Sequence, residues 1–276
     1  MLIDSHAHLN FSAFDKDRKK IIKECLDSDL WMINVGTKYE TGKKAKEIAE
    51  SYKRGVYATV GLHPIHVKNG LKIKMDPQEG GFIPKGEDFD RGKYEKLAES
   101  KKVVAIGEIG LDYYYFPKGS SKEEIESLKN RQKEVLFEQI RLANDLDLPI
   151  IFHCRKAHDD LIELLEASNL RRIKSVVHSF TGKWRQAENY LKMGFYLGFN
   201  GLIFRLNLDK IIERIPLDKI LIETDAPFLT PPEFPEKRNN PFGVKFVAEK
   251  IAGIKKINYE EVANITFKNA KRLFGI

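Results

Sequence analysis

The sequence predicts an α/β protein of one domain, a (β/α)8 TIM barrel over residues 1–276, on the strength of three observations. Short β-branched or apolar runs recur along the chain, each followed by a longer stretch with apolar residues at helical spacing. The runs are mostly apolar and continuous rather than alternating, as strands covered on both faces are. Histidines and acids follow several runs directly, at the strand ends where barrel sites are built.

The runs expected as strands are Leu2 to Asp4, Trp31 to Val35, Val56 to Val60, Val103 to Ile106, Pro149 to Phe152, Ser175 to Val177, Phe195 to Phe199 and Lys219 to Ile222. Helical spacing is clearest at Ile21, Ile22, Cys25 and Leu26, and at Ile125, Leu128, Val135, Leu136 and Ile140, and a last helix is expected over Tyr259 to Leu273. An open doubly wound sheet fits the same alternation. Two segments break the rhythm. From His66 to Gly92 the chain is rich in glycine, proline and charge, which suits either a lid or a tolerated surface insertion. From Ala226 to Gly243 lie five of the 11 prolines, so the loop after the eighth run is expected to be stiff and extended.

Composition narrows the function classes. An apolar content of 42% over 276 residues suffices for a substantial core. No run of about 18 apolar residues could span a bilayer, and no secretory leader is expected from the start Met1-Leu2-Ile3-Asp4. The two cysteines, Cys25 and Cys154, are far apart, which argues against a disulfide framework and for a reducing, cytoplasmic location. A net charge of +7 is compatible with an anionic substrate such as a phosphodiester. Clusters such as Lys16, Arg18, Lys19, Lys20 and Lys23 read first as a solvated helix face.

The chemistry-bearing residues come in strand-end motifs. His6-Ala7-His8 closes the first run, and residues two apart in a strand point to one side and can grip one metal. Val103 to Asp112 places Glu108 after a wholly apolar strand, with Gly107 and Gly110 expected to let the chain turn. A helix cap or a loop ion pair would account for Glu108 equally well. His153 and His178 repeat the arrangement after the fifth and sixth runs, and Asp225 ends the last, with Glu223 expected as a buried supporting carboxylate. Any one of these has an ordinary structural explanation. Together, imidazoles and carboxylates at one end of a barrel suit Zn, Mn, Fe or similar ions.

These motifs, in this order, resemble those of the TatD family of the amidohydrolase superfamily. The resemblance runs end to end through Asp4-Ser5-His6-Ala7-His8, Gly61-Leu62-His63-Pro64, Gly107-Glu108-Ile109-Gly110-Leu111-Asp112, His153-Cys154-Arg155, His178-Ser179-Phe180, Gly198-Phe199-Asn200-Gly201 and Glu223-Thr224-Asp225-Ala226-Pro227. It implies two divalent cations (Mg, Mn or Zn), one held by His6, His8 and Asp225, the other by His153 and His178, with Glu108 shared. It also implies a metal-dependent hydrolase, most often a deoxyribonuclease of the 3′-to-5′ exonuclease type. The chain departs from the family at Arg238-Asn239-Asn240-Pro241, where Arg-Asn-Glu-Pro is common, and in the length of the segment from His66 to Gly92.

In that setting Asp225 is the expected proton acceptor from water, Glu108 the residue that spaces the cations, and His63, Arg155, Arg238 and Asn239 the expected substrate contacts. An ion pair of Arg155 with Asp159 or Asp160 is the alternative for that residue. One of the rings of Tyr113, Tyr114, Tyr115 and Phe116 could stack on an unpaired base, with packing expected for at least two. Cys154 reads as a small buried residue and not a nucleophile. DNA is the expected substrate, with RNA second, and no membrane or obligate protein partner is expected. The competing readings are an esterase, lactonase or aminoacyl-tRNA deacylase on the same metals, and a noncatalytic nucleic-acid-binding barrel.

Overall fold

Eight parallel strands pair in chain order: β1 (Leu2–Ala7), β2 (Leu30–Val35), β3 (Val56–Val60), β4 (Val103–Asp112), β5 (Ile150–Arg155), β6 (Ser175–Val177), β7 (Tyr196–Phe199) and β8 (Ile220–Ile222). The computed structural model describes residues 1–67, 86–116, 119–167 and 174–276. Between the strands run α1 (Arg18–Asp27), α2 (Tyr39–Glu50), α3 (Arg91–Ala98), α4 (Lys122–Asp145), α5 (His158–Ala167), α6 (Trp184–Lys192) and α7 (Asp209–Arg214), and α8 (Val244–Lys255) and α9 (Tyr259–Phe274) follow β8.

The ends of the sheet meet. Ala7 and Ala226 form a parallel bridge. The His8 amide donates to the Ala226 carbonyl at 2.8 Å, and the Asp225 amide to that of His6 at 2.8 Å. Ser5 Oγ donates to the Ile222 carbonyl at 3.0 Å. The seam brings both ends of the sequence-predicted site, His6 and Asp225, into one hydrogen-bonded pair of segments, so barrel closure is what assembles the site. The open sheet is thereby excluded.

Why these runs are strands follows from their burial. All ten residues of β4 are buried, and Ile150, Ile151 and Phe152 of β5 are almost wholly enclosed. Burying each such side chain stabilises the fold by roughly 1.5–3 kcal/mol. One apolar cluster joins strands to helices, and a second collects Ile3, Ile33, Val35, Ala105, Ile151, Val176 and Leu221 with Ala270, Leu273 and Phe274 of α9. These layers offset the cost of the polar end described below. The helices start where their caps demand. Ser121 and Glu124 form a reciprocal capping box on α4, and Asn258 caps α9, which stops at left-handed Gly275. No described helix is long and apolar enough to cross a membrane.

Three strands run further than the sequence suggests. β1 continues through His6, β4 continues past Gly107 and Gly110 to Asp112, and β5 continues through His153 to Arg155. Gly110 is not a turn. A Cβ on it would collide with the His153 backbone carbonyl, so it is glycine because β4 and β5 approach closely there. Of the segment from His66 to Gly92, residues 68–85, on which the lid reading falls, lie outside the described residues. Its ends are pinned together, with Val67 bridged to Glu87 and the Glu87 amide bonded to the His66 carbonyl at 2.8 Å.

Candidate metal centre

Glu108 sits at the middle of the site. The pairing of β4 with β5 slips by one residue between Ile106 and Ile109, a bulge that re-aims the intervening side chain. The Glu108 carboxylate then faces imidazoles on both oxygens. His153 Nδ1 lies 2.7 Å from its Oε1 and His178 Nε2 3.1 Å from the same oxygen, while His6 Nε2 lies 3.4 Å from Oε2. His8 Nε2 is 3.3 Å from His6 Nε2, and Asp225 Oδ1 is 3.2 Å from His8 and 3.7 Å from His6. The rings of His6 and His178 stack with centroids 3.7 Å apart. All six predicted ligands therefore converge. His6, His8 and Asp225 form one group of donor atoms close enough to hold an ion, and His63, Glu108 and His153 another.

The tautomers follow from the outer nitrogens. His8 Nδ1 faces the Val35 carbonyl at 2.9 Å, which can only accept, so Nδ1 carries a proton and Nε2 is the nitrogen turned to the site. His178 Nδ1 faces the Glu223 carboxylate at 3.0 Å with the same result. His63 is the reverse. Its Nδ1 accepts the Ile65 amide at 3.1 Å, which puts the proton on Nε2, so at 3.5 Å from Glu108 it is a donor rather than a ligand despite its proximity. Burial, reinforced by the neighbouring His153, depresses the pKa of His63 and keeps it neutral.

His8 and His178 each turn Nε2 to a carboxylate, a contact that is favourable only with a proton or a cation between the two groups. Four carboxylates, Glu108, Asp112, Glu223 and Asp225, are gathered with no arginine or lysine ion pair to any of them among the described residues. His6 Nδ1, fully buried, also has no hydrogen-bond partner there. Such a donor set fits divalent metal. The charges within the protein respond accordingly. Burial opposes ionisation of Glu108, but His178, His63 and His6 hold its carboxyl well below the usual range. For Asp225 burial is likewise outweighed, by the His8 hydrogen bond and the imidazoles nearby. Burial works against a charged His153, yet its bonds to Asp112 and Glu108 lift it to about 9.

The centre floors a cleft of about 360 Å³ whose walls include Thr37, His63, Tyr115, Arg155, Ser179, Leu202 and Phe228. Asp225 and Ser179 adopt left-handed backbone at φ 56° and 49°, uncommon for residues with a Cβ and concentrated here at the mouth.

The model of the family described as TatD related DNase matches residues 3–275. The chain belongs to the TatD family. It is 39% identical over its full length, and that of the relative, to an uncharacterized metal-dependent hydrolase, YabD, of Bacillus subtilis. It is 30% identical over all of both chains to a protein of Erwinia amylovora named as a 3′-5′ ssDNA/RNA exonuclease, TatD. The crystal structure of YJJV, a TatD homologue from Escherichia coli, superposes with a TM-score of 0.82 at 30% identity, covering 100% of this chain and 98% of that one. The chain is a metal-dependent hydrolase.

Within this TatD barrel the remaining predicted residues part company. His63 and Arg155 line the cleft. Arg155 does not pair with Asp159 or Asp160, because Arg185 takes the first at 3.0 Å and Lys133 the second at 2.7 Å. Arg238 and Asn239 are not among the lining residues. Arg238 binds Asp17 and the Ala13 carbonyl and covers the Phe14 ring. Asn239 is fully buried and donates to the carbonyls of Thr224 and Phe228 at 3.1 and 2.7 Å. Both hold the proline-rich loop in place. Cys154 is buried, which pushes its thiol pKa up, as expected of an inert residue.

Sequence reasoning missed Asp112. Its Oδ2 lies 3.0 Å from His153 Nε2, so both nitrogens of that ring face carboxylates. The Asp112 amide and carbonyl are clamped by the Gln132 side chain of α4, at 2.9 and 3.0 Å. The signal available was the long apolar run ending in an acid. Glu223 behaves as foreseen, accepting from His178, from the Ser179 amide at 2.6 Å and from Asn200 at 3.3 Å. A Cβ on Gly198 would meet that carboxylate, which explains the glycine beside it. Asp4, buried and raised to about 8 by that burial against its bonds to Thr224 and the His6 amide, fastens β1 to the end of β8.

Proposed function

We propose that this TatD-family hydrolase cleaves phosphodiester bonds in DNA, releasing nucleotides from the 3′ end, and acts on RNA as a second substrate. The observation that carries the reading is the posture of Glu108, one carboxylate whose two oxygens face two separate imidazole groups, His6 on one side and His153 with His178 on the other. That is how a ligand shared by two cations must stand. His6, His8 and Asp225 would hold one, and His153 and His178 the other, with Glu108 common to both. Bound divalent cations supply Lewis acidity, lowering the pKa of a coordinated water and polarising a phosphoryl oxygen.

The chain's own groups do the rest. Asp225, ionised and 19% exposed at the cleft, accepts the proton of the attacking water. His63, neutral with its proton on Nε2, donates a hydrogen bond to the leaving oxygen, which takes its proton from solvent. Arg155, on the cleft wall without a carboxylate partner among the described residues, takes a phosphate oxygen. The name of the Erwinia amylovora relative supports nucleic acid as the substrate. The imidazole-rich donor set favours Zn or Mn on ligand grounds, with Mg as the alternative. Buried Cys25 and Cys154, free of any disulfide, suit the reducing cytoplasm.

Metal analysis of the purified protein, with a panel of single-stranded DNA, duplex DNA, RNA and chromogenic esters assayed in Mg, Mn and Zn, tests the proposal. Two metal equivalents and chelator-sensitive release of mononucleotides from a 3′ end are expected. Hydrolysis of esters alone would overturn the nuclease reading in favour of an esterase or deacylase. Nucleic-acid binding that persists without turnover after His6→Ala and His8→Ala would point to the noncatalytic barrel.

A further inference from the structure

The four aromatic residues after β4 divide into two pairs. Tyr113 and Phe116 stack at 5.6 Å, and the Tyr113 hydroxyl donates to Asp160 at 2.9 Å, so this pair packs. Tyr114 and Tyr115 are 49% and 41% exposed, two of the four large hydrophobic side chains left open among the described residues. Such exposure calls for a reason, since each ring has neighbours it could pack on. Tyr115 is a wall of the cleft that contains Glu108 and Asp225. The Arg155 guanidinium lies 3.7 Å from the centroid of Tyr114 and 5.1 Å from that of Tyr115, and Lys156 Nζ lies 4.8 Å from Tyr114. The two rings stand at 89° to each other, 5.0 Å apart. Tyr114 is thus held against two cations, while Tyr115, farther from Arg155 and without Lys156, is the ring of the pair that lines the cleft.

We propose that Tyr115, buttressed by Tyr114 and Arg155, is a stacking subsite for an unpaired base of single-stranded nucleic acid, next to the phosphate that Arg155 grips. The assignment rests on the phosphodiesterase reading above. Any base offers a π-face, so the subsite is tolerant of sequence. A base inside a duplex is already stacked on both faces and cannot reach it. Strandedness, rather than sequence, is therefore what this wall selects.

The test compares a single-stranded tetranucleotide with its abasic sugar-phosphate analogue, a small diester that keeps the scissile linkage and has neither base nor aromatic ring. Tyr115→Ala should raise KM for the tetranucleotide about tenfold more than for the small diester, with kcat affected less than KM, and Tyr115→Phe should restore it. A phosphorothioate tetranucleotide carrying 2-aminopurine, which binds without being cleaved, should be quenched by the wild type and Tyr115→Phe but not by Tyr115→Ala. Equal losses on both substrates, a loss in Tyr115→Phe as deep as in Tyr115→Ala, or quenching that survives the alanine change would each overturn the subsite. If the wild type cleaves neither diester, the phosphodiesterase reading falls instead, and the quenching still decides whether a base stacks on Tyr115.

Discussion

The two imidazole pairs around Glu108 are built differently. His6 and His8 come from one strand, against the seam between β1 and β8, and behind them stand a neutral carbonyl, that of Val35, and for His6 Nδ1 no described partner at all. His153 and His178 come from different strands, and each is backed by a buried carboxylate, Asp112 and Glu223 respectively. A carboxylate behind an imidazole fixes its orientation and makes it a more basic ligand, which a carbonyl does more weakly. Asp225 supplies on the first side the negative charge that the second side keeps in the rear. Charge is thus matched on both sides by different routes: a carboxylate in direct reach of the proposed ion at the seam, and carboxylates behind the rings across the mouth.

The largest expected effect removes the group both sides share. Glu108→Gln keeps the shape but takes away the negative charge facing His6, His153 and His178. Bound metal should fall from two equivalents towards none by elemental analysis. Turnover should fall well beyond the roughly 10–100-fold expected for partners behind the ligands. Retention of both metals and of activity would mean that the two sides are independent sites, and the comparison would collapse.

Much of the seam side was legible in the sequence because its logic is local. Alternation along a strand puts His6 and His8 on one side, and Asp225 ends the last apolar run. The far side was half legible. His153 and His178 could be placed by the same rule, but Asp112 could not, because Gly107 and Gly110 read as a turn that would end the strand before it. Those glycines answer to the crowding of β4 against β5, a contact between segments about 40 residues apart that no local pattern encodes. The lengths of β1, β4 and β5 were underestimated for the same reason, since pairing partners and not propensity carry all three strands past their apolar runs.

An intermediate effect sharpens the asymmetry itself. Asp112→Asn and Glu223→Gln leave every proposed ligand in place and change only what stands behind His153 and His178. Each should weaken binding of one of the two metal equivalents by roughly 10–100-fold in a chelator competition, leaving the other equivalent tight. Loss of both equivalents together, or of neither, would show that the buried carboxylates serve the fold and not the far ion. Rescue of turnover by raised metal concentration separates the two causes, because a misfolded barrel is not rescued.

The smallest effect concerns the loop after β8. Arg238 lies in sequence where a substrate contact is expected, yet its guanidinium reaches back 221 residues to Asp17 at the start of α1 and covers Phe14. A partner so distant in the chain leaves no trace in the loop's own composition. The pair is partly exposed, Arg238 28% and Asp17 37%, so solvent screens it. Arg238→Ala should therefore cost only about 1 kcal/mol in denaturant unfolding, including the lost cover over Phe14. KM for single-stranded DNA should stay within experimental error. An increase in KM without loss of stability would return Arg238 to the substrate side of the cleft. It would also mean that the loop moves on binding, since from its present position the guanidinium holds α1 against the mouth and leaves the walls of the cleft to His63, Tyr115 and Arg155.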